Sequence, residues 1–268
     1  MQRCNKLSSP GRRRARAVVR VLLAALGALS LLAGGARAQV TVDTREIYSS
    51  AAPPWLRAVG RLAVPGSRYR DGNRQHLRED CSATLVTRSA GAAADTIVTA
   101  WHCLEHYNDL SRPIMFTLLA GVEPAPRTIE AYRLADGGGM HADWALLRLR
   151  QPVAAAAVAA LEIQSGRADP GQLITMAGFS RDPGKGGGGT RLTFDPACLV
   201  TRLDVASSES NCLAYKGASG GAVVQQSVNG EPRFSGVISA GDGANVSTFV
   251  PVTTFRGAIG LYLTSSGR

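Results

Sequence analysis

Short runs of apolar and β-branched residues recur along this chain of 268 residues, with Gly, Pro, Asp or Asn between them. The first two runs, 82–87 and 96–100, are separated by a turn of small residues and predict a β-hairpin. The later runs are 114–119, 128–134, 144–149, 173–177, 191–194, 221–225, 234–238 and 247–252. Many short strands with turn residues between them predict an all-β fold.

Four segments need a separate interpretation. Residues 55–64 predict the first strand, and residues 65–80, rich in Gly, Arg and Asp, predict a loop. The Ala-rich segment 152–163 predicts either a helix or an extended linker between two lobes. Residues 182–189 predict a flexible loop. They contain G-x-G-x-x-G, but a turn and a strand follow rather than a helix, which argues against dinucleotide binding.

The N-terminal segment 1–38 predicts a secretory signal peptide that is removed on export. A basic stretch precedes the apolar run 21–33, and the A-R-A at 36–38 fits a cleavage site. The apolar run is shorter than the roughly 20 residues that span a bilayer. We therefore expect a mature chain that begins with an irregular segment, 39–54, has no stable membrane anchor, and is secreted or periplasmic.

The formal charge of +10 is concentrated in this same N-terminal segment. Residues 1–38 contain eight Lys and Arg and no acidic residue, which leaves 22 basic against 20 acidic residues in the mature chain. A nearly neutral domain lacks the basic surface that phosphate binding requires. We therefore expect no nucleic-acid partner.

The cysteines predict two disulfides. Cys4 leaves with the signal peptide, and Cys81, Cys103, Cys198 and Cys212 remain. An even number in an exported chain indicates disulfides, and four cysteines allow three pairings. Proximity along the chain favours Cys81 with Cys103 and Cys198 with Cys212. The chain contains no C-x-x-C pair of the kind that marks many metal sites. We therefore expect no bound metal.

Three local patterns carry candidate chemistry, in the order histidine, aspartate, serine. His102 ends an apolar strand, Asp143 precedes another, and Ser219 lies among glycines. A serine hydroxyl is a weak nucleophile unless a base takes its proton and a third group orients that base. The order and residue types predict Ser219 as nucleophile, His102 as general base and Asp143 as orienter, with Asp136 as the alternative acid.

The glycines around Ser219 suggest a second element of the same chemistry. They allow the backbone to turn so that amide groups converge on one point. The N–H groups of Gly217 and Ser219 are therefore candidates for an oxyanion hole, in which one donor is worth roughly 10²–10³ in rate.

These patterns resemble those of chymotrypsin-like serine proteases. T-A-W-H-C at 99–103 resembles their T-A-A-H-C, D-W-A-L-L at 143–147 resembles D-I-A-L-L, and G-A-S-G-G at 217–221 resembles G-D-S-G-G. C-S-A-T-L-V at 81–86 is similar to C-S-G-S-L-I, and 235–241 is similar to the strand beside the specificity pocket. The resemblance covers about residues 55–265 and is nearest the bacterial glutamyl-endopeptidase-like branch.

The resemblance implies a protease domain over 55–268 made of two packed six-stranded antiparallel β-barrels. The first barrel would span about 55–150 and the second about 160–268, with the active site between the lobes. It also implies a disulfide between Cys81 and Cys103 beside His102. The implied reaction is hydrolysis of protein or peptide substrates through an acyl-enzyme, with no cofactor, and we expect a monomer.

Departures from the family pattern affect activation and specificity. Ala218 replaces the aspartate that pairs with a newly cut N-terminus in the animal enzymes, so that activation route is not expected. Trp101 replaces a small alanine beside the base. Leu213 stands where trypsins carry an acidic pocket residue, and Ile238 near where glutamate-reading relatives carry a histidine. The candidate substrate-binding residues are Leu213, Lys216, Ser239 and Gly241.

Three other interpretations were weighed against the protease. G-x-S-x-G at 217–221 also fits α/β-hydrolases, but their histidine follows the serine, and all four histidines here precede Ser219. His102-x-x-Glu105-His106 fits an inverted zinc-peptidase motif, which needs a long helix and a further ligand. The remaining alternative is a non-catalytic binding protein with a protease fold.

Overall fold

The structure is a computed structural model that describes residues 42–118 and 126–263. The predicted signal peptide, including Cys4, lies outside the described residues. Within the described ranges the chain forms fifteen strands, one α-helix and three short 3₁₀ turns. The expectation of an all-β fold is confirmed. No helix in these ranges is long and apolar enough to cross a membrane.

Six strands form a closed antiparallel barrel in the first half of the chain. They are β2 (Val59–Arg70), β3 (Asn73–Thr87), β4 (Ala94–Thr99), β5 (Ile114–Leu118), β6 (Arg127–Asp136) and β7 (Ala145–Val153). The pairing runs β3–β2–β5–β6–β7–β4 and returns from β4 to β3. Alternate residues of β5 (Ile114, Phe116 and Leu118) are buried, as expected for a strand with one face on the core.

The second half forms another antiparallel ring. Its strands are β9 (Ile174–Gly178), β10 (Thr193–Cys198), β11 (Val200–Arg202), β12 (Ser208–Ser210), β13 (Ala222–Gln226), β14 (Pro232–Gly241) and β15 (Ser247–Pro251). The pairing runs β10–β9–β13–β14–β15–β12–β11. Only Leu199 separates β10 from β11, so the two act as one bent strand that completes the ring. The predicted two-barrel architecture is confirmed.

Two short strands connect parts of this framework. β8 (Leu161–Ile163) pairs in parallel with β3 of the first barrel and with β14 of the second. Of the two predictions for residues 152–163, the extended linker is therefore correct and the helix is wrong. β1 (Glu46–Ile47) pairs with β10, so the segment predicted as irregular contains one short strand.

The prediction of a loop over residues 65–80 is wrong. β2 and β3 stay paired to their tips, from Val59 with Thr84 out to Arg70 with Asn73. Asp71 and Gly72 form the turn, with φ of 51° and 77°. Asp-Gly is a favoured pair for a two-residue hairpin turn, because such turns need positive φ at both positions. The first strand also begins later than expected, because Pro54–Ala58 form a 3₁₀ turn.

The last described element is a helix that the strand pattern did not predict, α1 (Val252–Tyr262). Its buried residues Val252, Phe255 and Ile259 recur at helical spacing. Phe255 stacks on Trp144 with ring centroids 5.2 Å apart. The helix therefore packs beside the start of β7, directly after Asp143.

Candidate active site

His102 lies on a 3₁₀ turn, Trp101–Leu104, that follows the end of β4. The next residue, Cys103, forms a disulfide with Cys81 on β3, with 6.3 Å between their Cα atoms. The covalent bond ties the turn to the neighbouring strand. The imidazole is consequently held at the barrel rim, with 26% of its side chain exposed.

Asp143 lies just before β7 and is almost fully buried, with 1% of its side chain exposed. Its Oδ2 lies 2.9 Å and its Oδ1 3.1 Å from Nδ1 of His102, and Oδ1 also accepts the backbone N–H of His102 at 2.9 Å. A carboxylate can only accept, so Nδ1 must carry the proton. That tautomer leaves Nε2 free to accept a proton.

The carboxylate of Asp143 has a further partner in the second barrel. Ser239 donates its hydroxyl hydrogen to Oδ2 at 2.5 Å. Burial disfavours the charged form of Asp143, but the hydrogen bonds from His102 and Ser239 outweigh it and lower its pKa from the ordinary value. Asp143 is therefore held as an anion beside the histidine.

Asp136, the alternative acid, has different contacts. Its carboxylate forms an ion pair with Arg133 and accepts the backbone N–H of Gly138 at 2.8 Å. No hydrogen bond joins it to His102 among the described residues. The geometry thus favours Asp143 for the role beside the base.

Ser219 lies in a tight turn just before β13, between two glycines with positive φ. Gly217 has φ of 98° and Gly220 has φ of 84°. A Cβ atom at Gly217 would lie 2.6 Å from the carbonyl oxygen of Phe179, and one at Gly220 would lie 2.0 Å from that of Ser82. Both the backbone conformation and the close approach therefore require glycine.

The hydroxyl of Ser219 donates to the carbonyl oxygen of Ser239 at 3.1 Å. Among the described residues it forms no hydrogen bond to His102, although both side chains line one cavity. Catalytic hydrogen bonds are often loose without substrate. The direct contact that a nucleophile and its base need is therefore not made in this conformation.

The backbone around Ser219 leaves two N–H groups free. Within the described ranges, neither Gly217 nor Ser219 donates its N–H, whereas Ala218 between them donates to the carbonyl of Tyr215 at 3.0 Å. These two groups are the ones that the sequence predicted for an oxyanion hole. They remain available to an incoming oxygen.

Ser82, buried on β3, joins the two barrels directly behind this turn. Its backbone N–H donates to the carbonyl of Ser219 at 2.8 Å, and its hydroxyl donates to the carbonyl of Gly217 at 2.9 Å. The hydroxyl also accepts the N–H of Phe179 at 2.8 Å. Ser82 was not among the predicted site residues, because a serine within a strand carries no sequence signal of such a role.

The cavity between the barrels has a volume of about 380 Å³. His102, Met140, Ala214, Tyr215, Lys216, Ser219, Ile238, Ser239, Ala240 and Gly241 line it. Three of the four candidate substrate-binding residues (Lys216, Ser239 and Gly241) are thus brought to the cavity. Leu213 is not among the lining residues. It is buried, and its N–H donates to Asp195 at 2.8 Å.

The second disulfide joins Cys198 to Cys212, with 5.1 Å between the Cα atoms. Cys212 lies two residues before Ala214, which lines the cavity. Both disulfides have the pairing that proximity along the chain favours. Each barrel therefore has one cross-link next to its own part of the site.

The zinc-peptidase alternative does not fit the geometry. Its motif needs both histidines on one long helix, but the turn that carries His102 ends at Leu104. The group that comes nearest to a metal site in the described ranges is Cys81, His102 and Cys103, and the two sulfur atoms are already bonded to each other. This donor set offers one free ligand.

Comparison with known proteins identifies a matching family and similar solved structures. Residues 81–230 match the family described as "Trypsin-like peptidase domain". Among solved structures, the crystal structure of the protease Anisep from Arthrobacter nicotinovorans is 19% identical, with a TM-score of 0.54 over 77% of this chain and 97% of that chain. This similarity supports the chymotrypsin-like double-barrel fold. No curated protein matches the chain.

Proposed function

Because this chain belongs to the trypsin-like peptidase family, we propose that it is a serine endopeptidase with Ser219, His102 and Asp143 as its catalytic triad. One observation carries the proposal. His102 donates from Nδ1 to the buried Asp143 at 2.9 Å, in a cavity that Ser219 also lines. A base oriented in this way presents its free Nε2 to a serine hydroxyl.

The reaction follows from these positions. The Ser219 hydroxyl turns from the Ser239 carbonyl towards His102, a rotation about its Cα–Cβ bond. Its oxygen then attacks the peptide carbonyl carbon while Nε2 takes the proton, and Asp143 stabilises the imidazolium. The N–H groups of Gly217 and Ser219 bind the oxyanion.

Collapse of this intermediate breaks the carbon–nitrogen bond, and His102 protonates the leaving amine. An acyl-enzyme on Ser219 remains. Water then attacks the ester carbonyl, His102 takes its proton, and the same two N–H groups bind the second oxyanion. Collapse releases the carboxylic acid and returns the proton to Ser219.

The cavity supports a substrate with an uncharged side chain before the scissile bond. Ala214, Ile238 and Ala240 make much of its lining apolar, and none of its described lining residues is Asp or Glu. A lysine or arginine side chain would find no counter-ion there. Lys216 lines the cavity and is exposed, and we propose that it contacts the part of the substrate that lies outside the cavity.

We also propose that the protein acts outside the cytoplasm, secreted or periplasmic, as a mature chain that begins at Gln39. Two disulfides in one domain suit an oxidising compartment. The expectation of a monomer stays a prediction.

The decisive test is digestion of a proteome-derived peptide library by the mature protein and by the Ser219→Ala variant. We expect Ser219→Ala to lower kcat by about 10⁶-fold, because nucleophile and base act as a unit. A sulfonyl fluoride should abolish cleavage, and a chelator should leave it unchanged. Loss with the chelator alone would overturn the triad, and cleavage by both proteins would reveal a contaminant.

The second candidate, a non-catalytic binding protein, is favoured by the hydrogen bond from Ser219 to the Ser239 carbonyl in place of His102. Cleavage by neither protein would support it. In that case Ser219→Ala should leave the biological function unchanged.

A further inference from the structure

Arg45 is an arginine with only 2% of its side chain exposed. Its guanidinium donates to both carboxylate oxygens of Asp43, at 2.9 Å and 2.7 Å, and to Oδ1 of Asp182 at 2.8 Å. A buried cation is retained only where its partners satisfy it, because desolvation is otherwise unfavourable. The segment before β1 is therefore anchored by a complete charged network, and Asp182 lies 137 residues further along the chain.

The flat face of the same guanidinium lies over the ring of Tyr215, 4.0 Å from its centroid. Tyr215 lines the cavity between the barrels, next to Ala214 and Lys216. A cation stacked on an aromatic ring stabilises the position of both groups. Arg45 thus contacts the back of the cavity wall without lining the cavity itself.

Thr44, the preceding residue, reaches the same wall through Asp195. Its hydroxyl donates to Oδ2 of Asp195 at 2.9 Å. That same oxygen accepts the backbone N–H of Leu213 at 2.8 Å. Thr44 and Arg45 belong to the segment 42–47, called the N-terminal segment from here on. They connect to two points of the segment 213–216, which forms the cavity wall.

The loop that carries Asp182 contacts both the N-terminal segment and the segment 213–216. Lys185 donates to the carbonyl oxygens of Asp43 (2.7 Å) and Arg45. On the other side, the N–H of Arg181 donates to the carbonyl of Lys216 at 2.6 Å. Residues 182–189 are predicted to form a flexible loop. In the structure this loop and the adjoining Arg181 are hydrogen-bonded to the N-terminal segment and to Lys216.

We propose that Thr44 and Arg45 are positioning residues that hold the segment 213–216 in the conformation that receives substrate. Backbone pairing of β1 with β10 also attaches the N-terminal segment. The contacts of Thr44 and Arg45 reach further, to the segment 213–216. The inference rests on the proposed function, since it assigns these residues to the same cavity.

The test compares Arg45→Met with Arg148→Met in the mature protein. Arg148 is a matched control, because it is also largely buried (14% exposed) and donates to Asp95 and to the carbonyl of Tyr262, neither of which lines the cavity. With a fluorescence-quenched peptide that the wild type cleaves, we expect Arg45→Met to raise KM about 10- to 100-fold, since small misplacements of binding groups have effects of this size. Turnover of p-nitrophenyl acetate, which does not fill the cavity, should change less.

A second measurement does not depend on activity. Amide hydrogen exchange over residues 211–218 should become faster in Arg45→Met and stay unchanged in Arg148→Met. Arg45→Lys should restore KM in part, because lysine keeps the charge but not the flat, forked donor group. If Arg45→Met fails to fold, Thr44→Val, which removes one hydroxyl, should still raise KM and the exchange rate.

The outcomes separate this inference from the proposed function. Equal KM and equal exchange in the two arginine variants would overturn the positioning role while leaving the peptidase intact. A wild-type protein that cleaves nothing would overturn the peptidase. Amide hydrogen exchange over residues 211–218, compared between Arg45→Met and Arg148→Met, would still decide whether Thr44 and Arg45 hold the wall.

Discussion

The two barrels contribute to the candidate site in different ways. In the first barrel, His102 and Asp143 are joined by three hydrogen bonds, and a disulfide fixes the turn that carries the histidine. In the second, Ser219 points its hydroxyl at a backbone carbonyl, and the neighbouring wall is held by residues from other parts of the chain.

The difference indicates which part of the candidate site is already arranged for the proposed reaction and which part must be completed. In the proposed mechanism, His102 and Asp143 need no movement before reaction, whereas Ser219 must rotate. Ser82 of the first barrel contacts the turn that carries Ser219, and Arg45 of the N-terminal segment stacks on the nearby Tyr215. Variants of His102 and Asp143 should therefore change the chemical step alone, whereas variants of the supporting contacts should also change stability or substrate binding.

Within this comparison the largest expected effect comes from Asp143→Asn, which tests the His102–Asp143 pair. The amide has nearly the same volume but favours the wrong histidine tautomer, so kcat should fall by about 10⁴-fold. Steady-state kinetics would measure it, with thermal unfolding as a check on folding. Asp136→Asn is the control, since Asp136 pairs with Arg133. A loss of kcat in Asp136→Asn instead would assign the acid role to that residue.

An intermediate effect is expected from Ser82→Ala, which tests the dependence of one barrel on the other. Removing the hydroxyl leaves the buried N–H of Phe179 and the carbonyl of Gly217 without this partner. The free energy of unfolding should fall by about 1–3 kcal/mol. Denaturant titration would measure this, and kcat should also fall because Gly217 adjoins the nucleophile.

Ser235→Ala is the matched control for that prediction. Ser235 is fully buried, and its hydroxyl bonds Gln164 and the carbonyl of Arg233, away from the cavity. It should lose stability with unchanged kcat. Equal kcat values for the two serine variants would contradict a role for Ser82 in the site.

Residues that stand in local sequence patterns could be predicted to meet at one cavity, and the supporting contacts could not. His102 and Ser219 stand in compact local patterns, and each disulfide joins cysteines that are close along the chain. Arg45 gave no such signal, because its partner Asp182 is 137 residues away and only the fold brings them together.

Two wrong predictions of secondary structure have local causes instead. Asp71-Gly72 is a recognisable hairpin turn, but the charged residues around it are typical of a loop. A hairpin that projects into solvent has no apolar face to mark its strands. In α1, Val252, Phe255 and Ile259 have helical spacing, but they directly follow the strand β15.

The smallest effect is expected on the free energy of unfolding in acid, and it tests the ion pairs of Arg45 with Asp43 and Asp182. Hydrogen bonds from Arg45 lower the pKa of Asp43 and of Asp182 below their ordinary 3.8. The unfolded chain therefore takes up protons first, so the stability they contribute is present above about pH 4 and is lost as pH falls through the lowered pKa values. Arg45→Met should weaken this loss, measured by denaturant titration between about pH 5 and about pH 2. Parallel pH curves for the two proteins would contradict it.

The long reach of Thr44 and Arg45 has a consequence for the time at which the cavity wall is completed. Synthesis begins at the N-terminus, so Thr44 emerges 151 residues before Asp195, and Arg45 emerges 137 residues before Asp182. At typical elongation rates this delay is roughly 7–30 s. The segment 213–216 is made later still, so the contacts of Thr44 and Arg45 with the wall can form only when most of the chain has been synthesised.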